Sequence, residues 1–185
     1  MARNDGRNAV KRLRKEKREL VKVFSVSLAV ALAITTFVRP TLVKGQSMEP
    51  TLEENDYLIV GSESLLGTPP KFGDLVVFNS KVVSKEGHSK LLKRVVGLPG
   101  DTIEIKEGTV YRNGVPLKEE YIKEETTPGN VEKFTVGENS VFVMGDNRAH
   151  SLDSRNKDLG TIDYEDIIGT VKFRLFPLNK IGRVT

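Results

Sequence analysis

An uncharged apolar run near the N-terminus constrains this chain more than any other feature. Residues 23–38 read VFSVSLAVALAITTFV without a charged side chain, and Arg39 and Pro40 follow. A helix over this run spans about 24 Å, and inclusion of residues 20–22 extends it to about 29 Å, near the ~30 Å of a hydrocarbon core. The run therefore predicts a single, slightly short transmembrane anchor over residues 23–38.

The distribution of charge gives this anchor an orientation. Residues 1–22 hold nine basic and three acidic side chains, a net charge of +6, whereas the remainder of the chain carries −2. A basic arm before an apolar run follows the positive-inside rule, so we expect residues 1–22 to be cytoplasmic and residues 40–185 to be extracytoplasmic. A nucleic-acid-binding arm has a similar charge but no use for the apolar run, so no nucleic-acid partner is expected.

A cleaved signal peptide is the alternative interpretation of the run. Residues 31–33 read Ala-Leu-Ala, a small-residue pattern typical of a cleavage site. The apolar sequence continues over residues 34–38, past that point, which favours an uncleaved anchor. Both interpretations export the part of the chain that follows.

Composition excludes several kinds of site. The 185 residues include no cysteine, so a disulfide, a zinc–thiolate site and a thiol nucleophile are impossible. The chain has two histidines, His88 and His150, which makes a multi-histidine metal site improbable. We therefore predict an extracytoplasmic domain without a metal or other cofactor.

The sequence after Pro40 has the pattern of short β-strands. Strands are predicted where Val, Ile, Phe and Tyr concentrate between turn residues, at 56–61, 74–79, 91–97, 102–106, 109–113 and 140–145. Asn113-Gly114 predicts a two-residue hairpin turn. Residues 116–133 are charged and poor in strand formers, so we expect a solvated excursion there. The predicted fold class is mainly β, a small antiparallel sheet domain behind one N-terminal transmembrane helix.

Ser47 stands in an unusual stretch, GQSMEPTL, at residues 45–52. A serine nucleophile needs a base. The G-x-S-x-G elbow is absent, and the S-x-x-K pattern at residues 154–157 has no K-T-G partner. His88 and His150 both lie in polar stretches, where a histidine is usually a solvated residue.

Lys93 is the stronger candidate for the base. A lysine accepts a proton only when its amine is neutral, which requires removal from water. In LLKRVVG, residues 91–97, Lys93 shares one face of a strand with Leu91 and Val95. A surface lysine on an edge strand remains the alternative.

Four stretches, in order, resemble the type I signal peptidases, in the small bacterial form typical of Gram-positive organisms. They are GQSMEPTL (45–52), GDLVVF (73–78), KRVVGLPGD (93–101) and GDNRAHSLDSR (145–155). Each stretch alone is weakly specific, but four in order behind a basic arm and an apolar run are highly specific. The resemblance implies the β-rich fold that this family of serine–lysine peptidases shares with the LexA-like peptidases.

The resemblance also implies roles for individual residues. Ser47 matches the nucleophile, Lys93 the general base, and Ser151 the serine that orients the lysine amine. Four charged residues match positions that brace the site, and we expect ion pairs between them: Asp146, Arg148, Asp153 and Arg155. Other residues match the shallow pockets for small substrate side chains and their surroundings: Val43, Gly45, Met48, Leu52 and Leu92.

One position departs from part of the family. Some signal peptidases have a serine two residues before the nucleophile, whose hydroxyl serves the oxyanion hole, and here that position is Gly45. The implied function is a membrane-anchored endopeptidase of the bacterial cell membrane. Its expected partners are the signal peptides of preproteins, cleaved after small residues in an A-x-A pattern, and the phospholipid membrane. A non-catalytic exported module that binds peptides is the alternative.

Overall fold

A computed structural model describes residues 2–62, 68–83, 87 and 89–184 of the chain. The chain divides into two compact units, one ending at Phe37 and the other beginning at Val38. The first unit is helical and the second is built from β-strands.

The first unit is a single helix, α1, over Ala2–Phe37. No proline interrupts it before Pro40, and two exposed ion pairs, Arg12–Glu16 and Glu19–Lys22, lie at the spacing that supports a helix. Helical structure is therefore confirmed for most of the apolar run. Within the residues that the structure describes, no helix has both the length and the apolar character needed to cross a membrane.

The second unit contains eleven strands in the described residues. In chain order they are β1 Val38–Leu42, β2 Tyr57–Gly61, β3 Leu75–Asn79, β4 Lys90–Gly97, β5 Thr102–Lys106, β6 Thr109–Arg112, β7 Val115–Pro116, β8 Val131–Thr135, β9 Ser140–Met144, β10 Ile162–Asp163 and β11 Ile167–Phe176. All six strands predicted from the sequence are present. The predicted mainly antiparallel β class is therefore confirmed for this unit.

The strands form two antiparallel sheets. The larger sheet has the order β1-β2-β11-β3-β4-β9-β10, and the smaller has the order β7-β6-β5-β8. The predicted hairpin joins β6 to β7, with φ of 56° at Asn113 and 77° at Gly114. Two consecutive positive φ values are what a tight hairpin turn requires, and Asn-Gly supplies them at low cost.

Alternating side chains bury both faces of the larger sheet. On β3, Val76 and Phe78 enter one apolar cluster, whereas Leu75 and Val77 enter a second cluster. On β9, Phe142 enters a third cluster that also holds the inward residues of the smaller sheet. The smaller sheet is therefore joined through apolar side chains to the β4–β9 part of the larger sheet.

Candidate active site

Strand β4 carries Lys93 into the interior. Lys93 is 2% exposed, between Leu91 and Val95, which belong to the first apolar cluster. Its Nζ donates a hydrogen bond to Ser47 Oγ over 2.6 Å and another to the carbonyl oxygen of Leu92 over 2.9 Å. The predicted burial is confirmed, and the surface-lysine alternative is wrong.

Ser47 lies in a turn after β1, which we call the serine turn, residues 45–52. The backbone N–H of Glu49 donates to the carbonyl of Gln46, and that of Leu52 donates to the carbonyl of Met48. Gly45 has a φ of +79°, a conformation that favours glycine. A Cβ at Gly45 would meet nothing within 4 Å, so the backbone and not crowding accounts for glycine here.

A second loop, the site loop of residues 145–151, packs against the serine turn. The backbone N–H of Asn147 donates to the carbonyl oxygen of Ser47 over 3.1 Å. A Cβ at Gly145 would collide with that carbonyl oxygen and with Ser151 Oγ. Ser151 Oγ is buried, with no hydrogen-bond partner among the described residues. Gly145 thus allows Ser151 and Ser47 to approach from the same side.

An ion pair ties β4 to the site loop. Arg94 and Asp146 are 3% and 0% exposed, and two hydrogen bonds of 2.9 and 2.7 Å join the guanidinium to the carboxylate. Thr51 of the serine turn donates its hydroxyl to Asp146 Oδ2 over 2.6 Å. The partner of Asp146 is therefore Arg94, and the expected pairing of Asp146 within its own loop is wrong.

Asp153 and Arg155 form the one expected pair that the structure contains. Arg155 Nε and Nη2 each donate to Asp153 over 2.8 Å. Asp153 Oδ2 also accepts the backbone N–H of Gly145, and Arg155 Nη2 donates to the carbonyl of Arg148. This pair therefore holds the backbone of the site loop.

Arg148 pairs with Glu119, which precedes β8. Arg148 is 1% exposed, and its Nη1 and Nη2 donate to the two carboxylate oxygens of Glu119 over 2.8 and 2.6 Å. Its other hydrogen bonds go to Thr127 Oγ1 and the carbonyl of Gly145. Burial opposes the charge on Arg148, but the hydrogen bond and the charge of Glu119 leave the pKa of Arg148 above its ordinary value.

A comparison of the sequence identifies the family. The sequence model of the family described as signal peptidase, peptidase S26, matches residues 17–176. The chain belongs to the S26 signal peptidase family.

Two relatives identified by sequence support the same assignment. The probable signal peptidase I-1 of Synechocystis sp. is 39% identical over 172 residues, which cover 90% of this chain and 86% of the relative. The signal peptidase I of Bacillus licheniformis is 38% identical over 175 residues, covering 89% and 91%. A crystal structure of a signal peptidase I from Enterococcus faecalis is 31% identical, covers 56% of this chain and 97% of that one, and has a TM-score of 0.45. As a member of the S26 family, this chain is a peptidase.

The residues that match the family's substrate pockets lie around the serine turn. Val43, Met48 and Leu52 are buried in the second apolar cluster, and Leu92 packs against it with part of its surface exposed. Leu52 has no exposed surface. Of these pocket residues, Leu92 and the backbone at Gly45 are therefore the ones that can contact a ligand directly in this conformation.

The structure describes one of the two histidines of this peptidase. His150 is exposed on a short 3-10 turn over Arg148–His150, in the polar setting expected from the sequence. His88 lies outside the described residues.

Sequence reasoning missed the part of the site that comes from residues 119–127. The expectation of a solvated excursion over residues 116–133 is confirmed for most of its residues, which are exposed, but it is wrong for three of them. The Glu119 side chain is 6% exposed, Tyr121 lies with its ring 4.0 Å from the guanidinium of Arg94, and Thr127 is buried. Burial, together with the charge and hydrogen bond of Glu119, raises the pKa of Tyr121. Tyr121 and Ile122 were the only apolar side chains in a run of charges, and they were the available signal that part of this segment faces inward.

Proposed function

We propose that this member of the S26 family is a membrane-anchored serine endopeptidase that removes signal peptides from preproteins, with Ser47 as nucleophile and Lys93 as general base. The observation that carries the proposal is the 2.6 Å hydrogen bond from the Nζ of a buried lysine to Ser47 Oγ. A nucleophile and its base need this separation. The relatives named signal peptidase I support the same class of substrate.

In the proposed reaction, Ser47 Oγ attacks the carbonyl carbon of the scissile bond while Lys93 accepts the hydroxyl proton. The resulting ammonium returns the proton to the leaving amine, and the first product departs. Water then hydrolyses the acyl-enzyme, with Lys93 again as the base. Burial supports this role, because removal from water disfavours the charged ammonium and favours the neutral amine that accepts a proton.

The oxyanion of the tetrahedral intermediate requires hydrogen-bond donors. We assign the backbone N–H of Ser47 as one donor. Gly45 offers no hydroxyl, in contrast to the serine of some relatives. Loss of a side-chain donor where it is in use costs about 3 kcal/mol, so we expect a second, compensating donor to contribute to the hole.

The preprotein would bind as an extended strand beside the serine turn and the start of β4. Strand β1 is an edge strand of the larger sheet, and the pairing of β4 with β9 starts only at Arg94. Main-chain groups before Arg94 are therefore available on that side of β4 to an added strand, which is a common mode of peptide recognition. Small substrate side chains would then face Leu92 and Gly45.

The anchor belongs to the same proposal. The basic arm of residues 1–22 and the apolar run of residues 23–38 would hold the peptidase unit on the outer face of the bacterial cell membrane, where signal peptides end. Protease added to cells stripped of their wall should digest the residues after 40 and spare the arm. Protection of those residues, or a mature N-terminus at Ile34, would contradict the anchor.

The catalytic assignment is tested with a preprotein that carries alanine at the first and third positions before the cleavage site. Wild type should release the signal peptide, as measured by mass spectrometry, and Ser47→Ala and Lys93→Ala should each release none while circular dichroism reports an intact β unit. Binding of the preprotein without cleavage by wild type would favour the non-catalytic alternative.

A further inference from the structure

The segment of residues 119–127 contacts both loops of the candidate site. We call it the latch segment. It belongs to the connection between β7 and β8 of the smaller sheet, yet its hydrogen bonds reach the site loop and the serine turn. The mechanism proposed above makes no use of it.

The latch segment holds the backbone of the site loop at several points. The N–H of Lys123 donates to the carbonyl of Asp146 over 3.1 Å. Glu124 accepts the N–H of Arg148 over 2.8 Å and that of Ala149 over 3.4 Å. A displacement of the latch segment would therefore displace the site loop.

Side-chain hydrogen bonds also join the latch segment to the site loop. Glu119 receives both guanidinium ends of Arg148, and Tyr121 donates its hydroxyl to Glu119 Oε1 over 2.7 Å. Arg148 Nε donates to the carbonyl of Gly145, the residue that packs against Ser47. The chain of contacts from Glu119 to the nucleophile thus passes through one arginine and one glycine.

A separate contact reaches the serine turn directly. Lys123 Nζ lies 2.7 Å from Glu49 Oε2, two residues after Ser47. The latch segment therefore touches the site from two directions, through the site loop and through the serine turn.

The energetics of a buried ion pair favour a positioning role over a purely stabilising one. Burying two charges costs desolvation free energy, so a pair such as Arg148–Glu119 gives little net stability compared with apolar residues of the same volume. Its bidentate geometry does fix the position of the groups that it joins. A misplacement of about 1 Å in a catalytic group can reduce a rate about 100-fold.

We propose that the latch segment positions the site loop and the serine turn for catalysis, with Glu119 as its main positioning residue. This inference rests on the proposed serine–lysine function. It assigns to the smaller sheet a role in the reaction that the four motifs do not contain, since the motifs end at residue 101 and resume at residue 145.

The first test compares Glu119→Gln with Glu120→Gln in the full chain, assayed in detergent on the same preprotein. Glu120 is the neighbouring residue, exposed and paired with the exposed Lys118, so its variant is the matched control. Glu119→Gln should lower kcat about 10- to 100-fold, with KM changed less than about threefold. Glu120→Gln should leave both within about twofold.

Several outcomes separate positioning from folding and from the proposed function. Equal kcat values for the two variants would overturn the positioning role of the latch segment. A loss of kcat equal to the loss of folded protein would overturn it as well. Wild type that cleaves no more preprotein than Ser47→Ala would instead refute the serine–lysine function itself. These two failures are therefore distinguishable in one assay.

The Lys123–Glu49 contact gives a second test that does not disturb the buried pair. Lys123→Glu should lower kcat about two- to fivefold through repulsion from Glu49, and the double variant Lys123→Glu/Glu49→Lys should restore most of it. If Glu119→Gln does not fold, this cycle decides the question. A double variant no more active than Lys123→Glu would contradict the proposal.

Discussion

Lys93 and Arg94 are consecutive buried basic residues of β4, and the contacts of their side chains differ. Lys93 Nζ donates to a serine hydroxyl and a main-chain carbonyl, which are neutral oxygen atoms. Arg94 donates to the carboxylate of Asp146 and lies over the ring of Tyr121. Since successive side chains of a strand point to opposite faces, one strand presents two chemically distinct environments.

The difference between these environments matches the two roles that we propose, a structural ion pair for Arg94 and a general base for Lys93. A carboxylate stabilises the charged form of its partner, and guanidinium stays protonated at any working pH, so Arg94 and Asp146 form a fixed structural pair. Lys93 is buried between the apolar side chains of Leu91 and Val95, and removal from water favours the neutral amine that the proposed base role needs.

The largest expected effect comes from replacing Lys93 with arginine, which gives β4 two consecutive guanidinium groups. Lys93→Arg should abolish cleavage, with kcat/KM reduced at least about a thousandfold, because guanidinium does not lose its proton. Any remaining activity is measured in a discontinuous assay of signal-peptide release at high enzyme concentration. An active Lys93→Arg enzyme would show that Lys93 is not the base.

The control for Lys93→Arg is the pH dependence of the wild type. If Lys93 is the base, kcat/KM should rise with pH as the ammonium loses its proton and should be highest on the alkaline side. A profile that is flat from acid to alkaline pH would count against the assignment.

The next largest effect concerns the structural cation. Asp146→Ala leaves the charge of Arg94 buried without its carboxylate, which should cost about 3–5 kcal/mol of unfolding free energy. Urea denaturation followed by circular dichroism measures it. Asp158→Ala, at an exposed aspartate of a nearby turn, should stay within about 0.5 kcal/mol. Equal midpoints for the two variants would mean that leaving the charge of Arg94 without its carboxylate costs the fold no stability.

A smaller effect is expected at a paired carboxylate away from the site. Burial would raise the pKa of Asp101, but hydrogen bonds from Arg112, the Leu98 N–H and Asn113 hold it below its ordinary value. A lowered pKa in the folded state gives stability that is present at neutral pH and lost as the pH falls through that pKa.

Asp101→Asn should therefore reduce unfolding free energy by about 1–2 kcal/mol at pH 7. The deficit relative to the wild type should shrink below about pH 4, where the aspartate of the unfolded chain is protonated. Denaturation curves at both pH values measure it. A deficit that grows on acidification would contradict the assigned sign.

The smallest effect is expected at the exposed histidine of the site loop. His150→Ala should keep kcat/KM within about twofold, because a serine–lysine mechanism uses no imidazole. The same cleavage assay measures it. A loss of a thousandfold, about 4 kcal/mol of transition-state stabilisation, would point to a serine–histidine enzyme.

The sequence by itself determined the strands, the hairpin and the candidates for the chemistry. Runs such as LVVFN and SVFVM form strands that are buried on both faces, and Asn113-Gly114 makes a tight turn through its own backbone preferences. The motifs around Ser47 and Lys93 suggested that these residues act together, and periodicity placed Lys93 on an apolar face. The prediction missed β1 with Pro40 and the edge strands β8 and β10, which lack such a local pattern, and also the central strand β11, whose sequence IIGTVKFRLF has one.

The tertiary structure decided which charges meet. Asp146 pairs with Arg94 and not with Arg148, and the side chain of Glu119 is 6% exposed although its neighbours in sequence are charged. Such choices depend on residues 52 and 29 positions apart in the chain. Local sequence patterns indicate the backbone conformation of a segment and the face of a strand on which a side chain lies. The partner of a buried charge depends instead on which loops the folded sheets bring together. The desolvation cost of an unpaired charge then selects among the partners within reach.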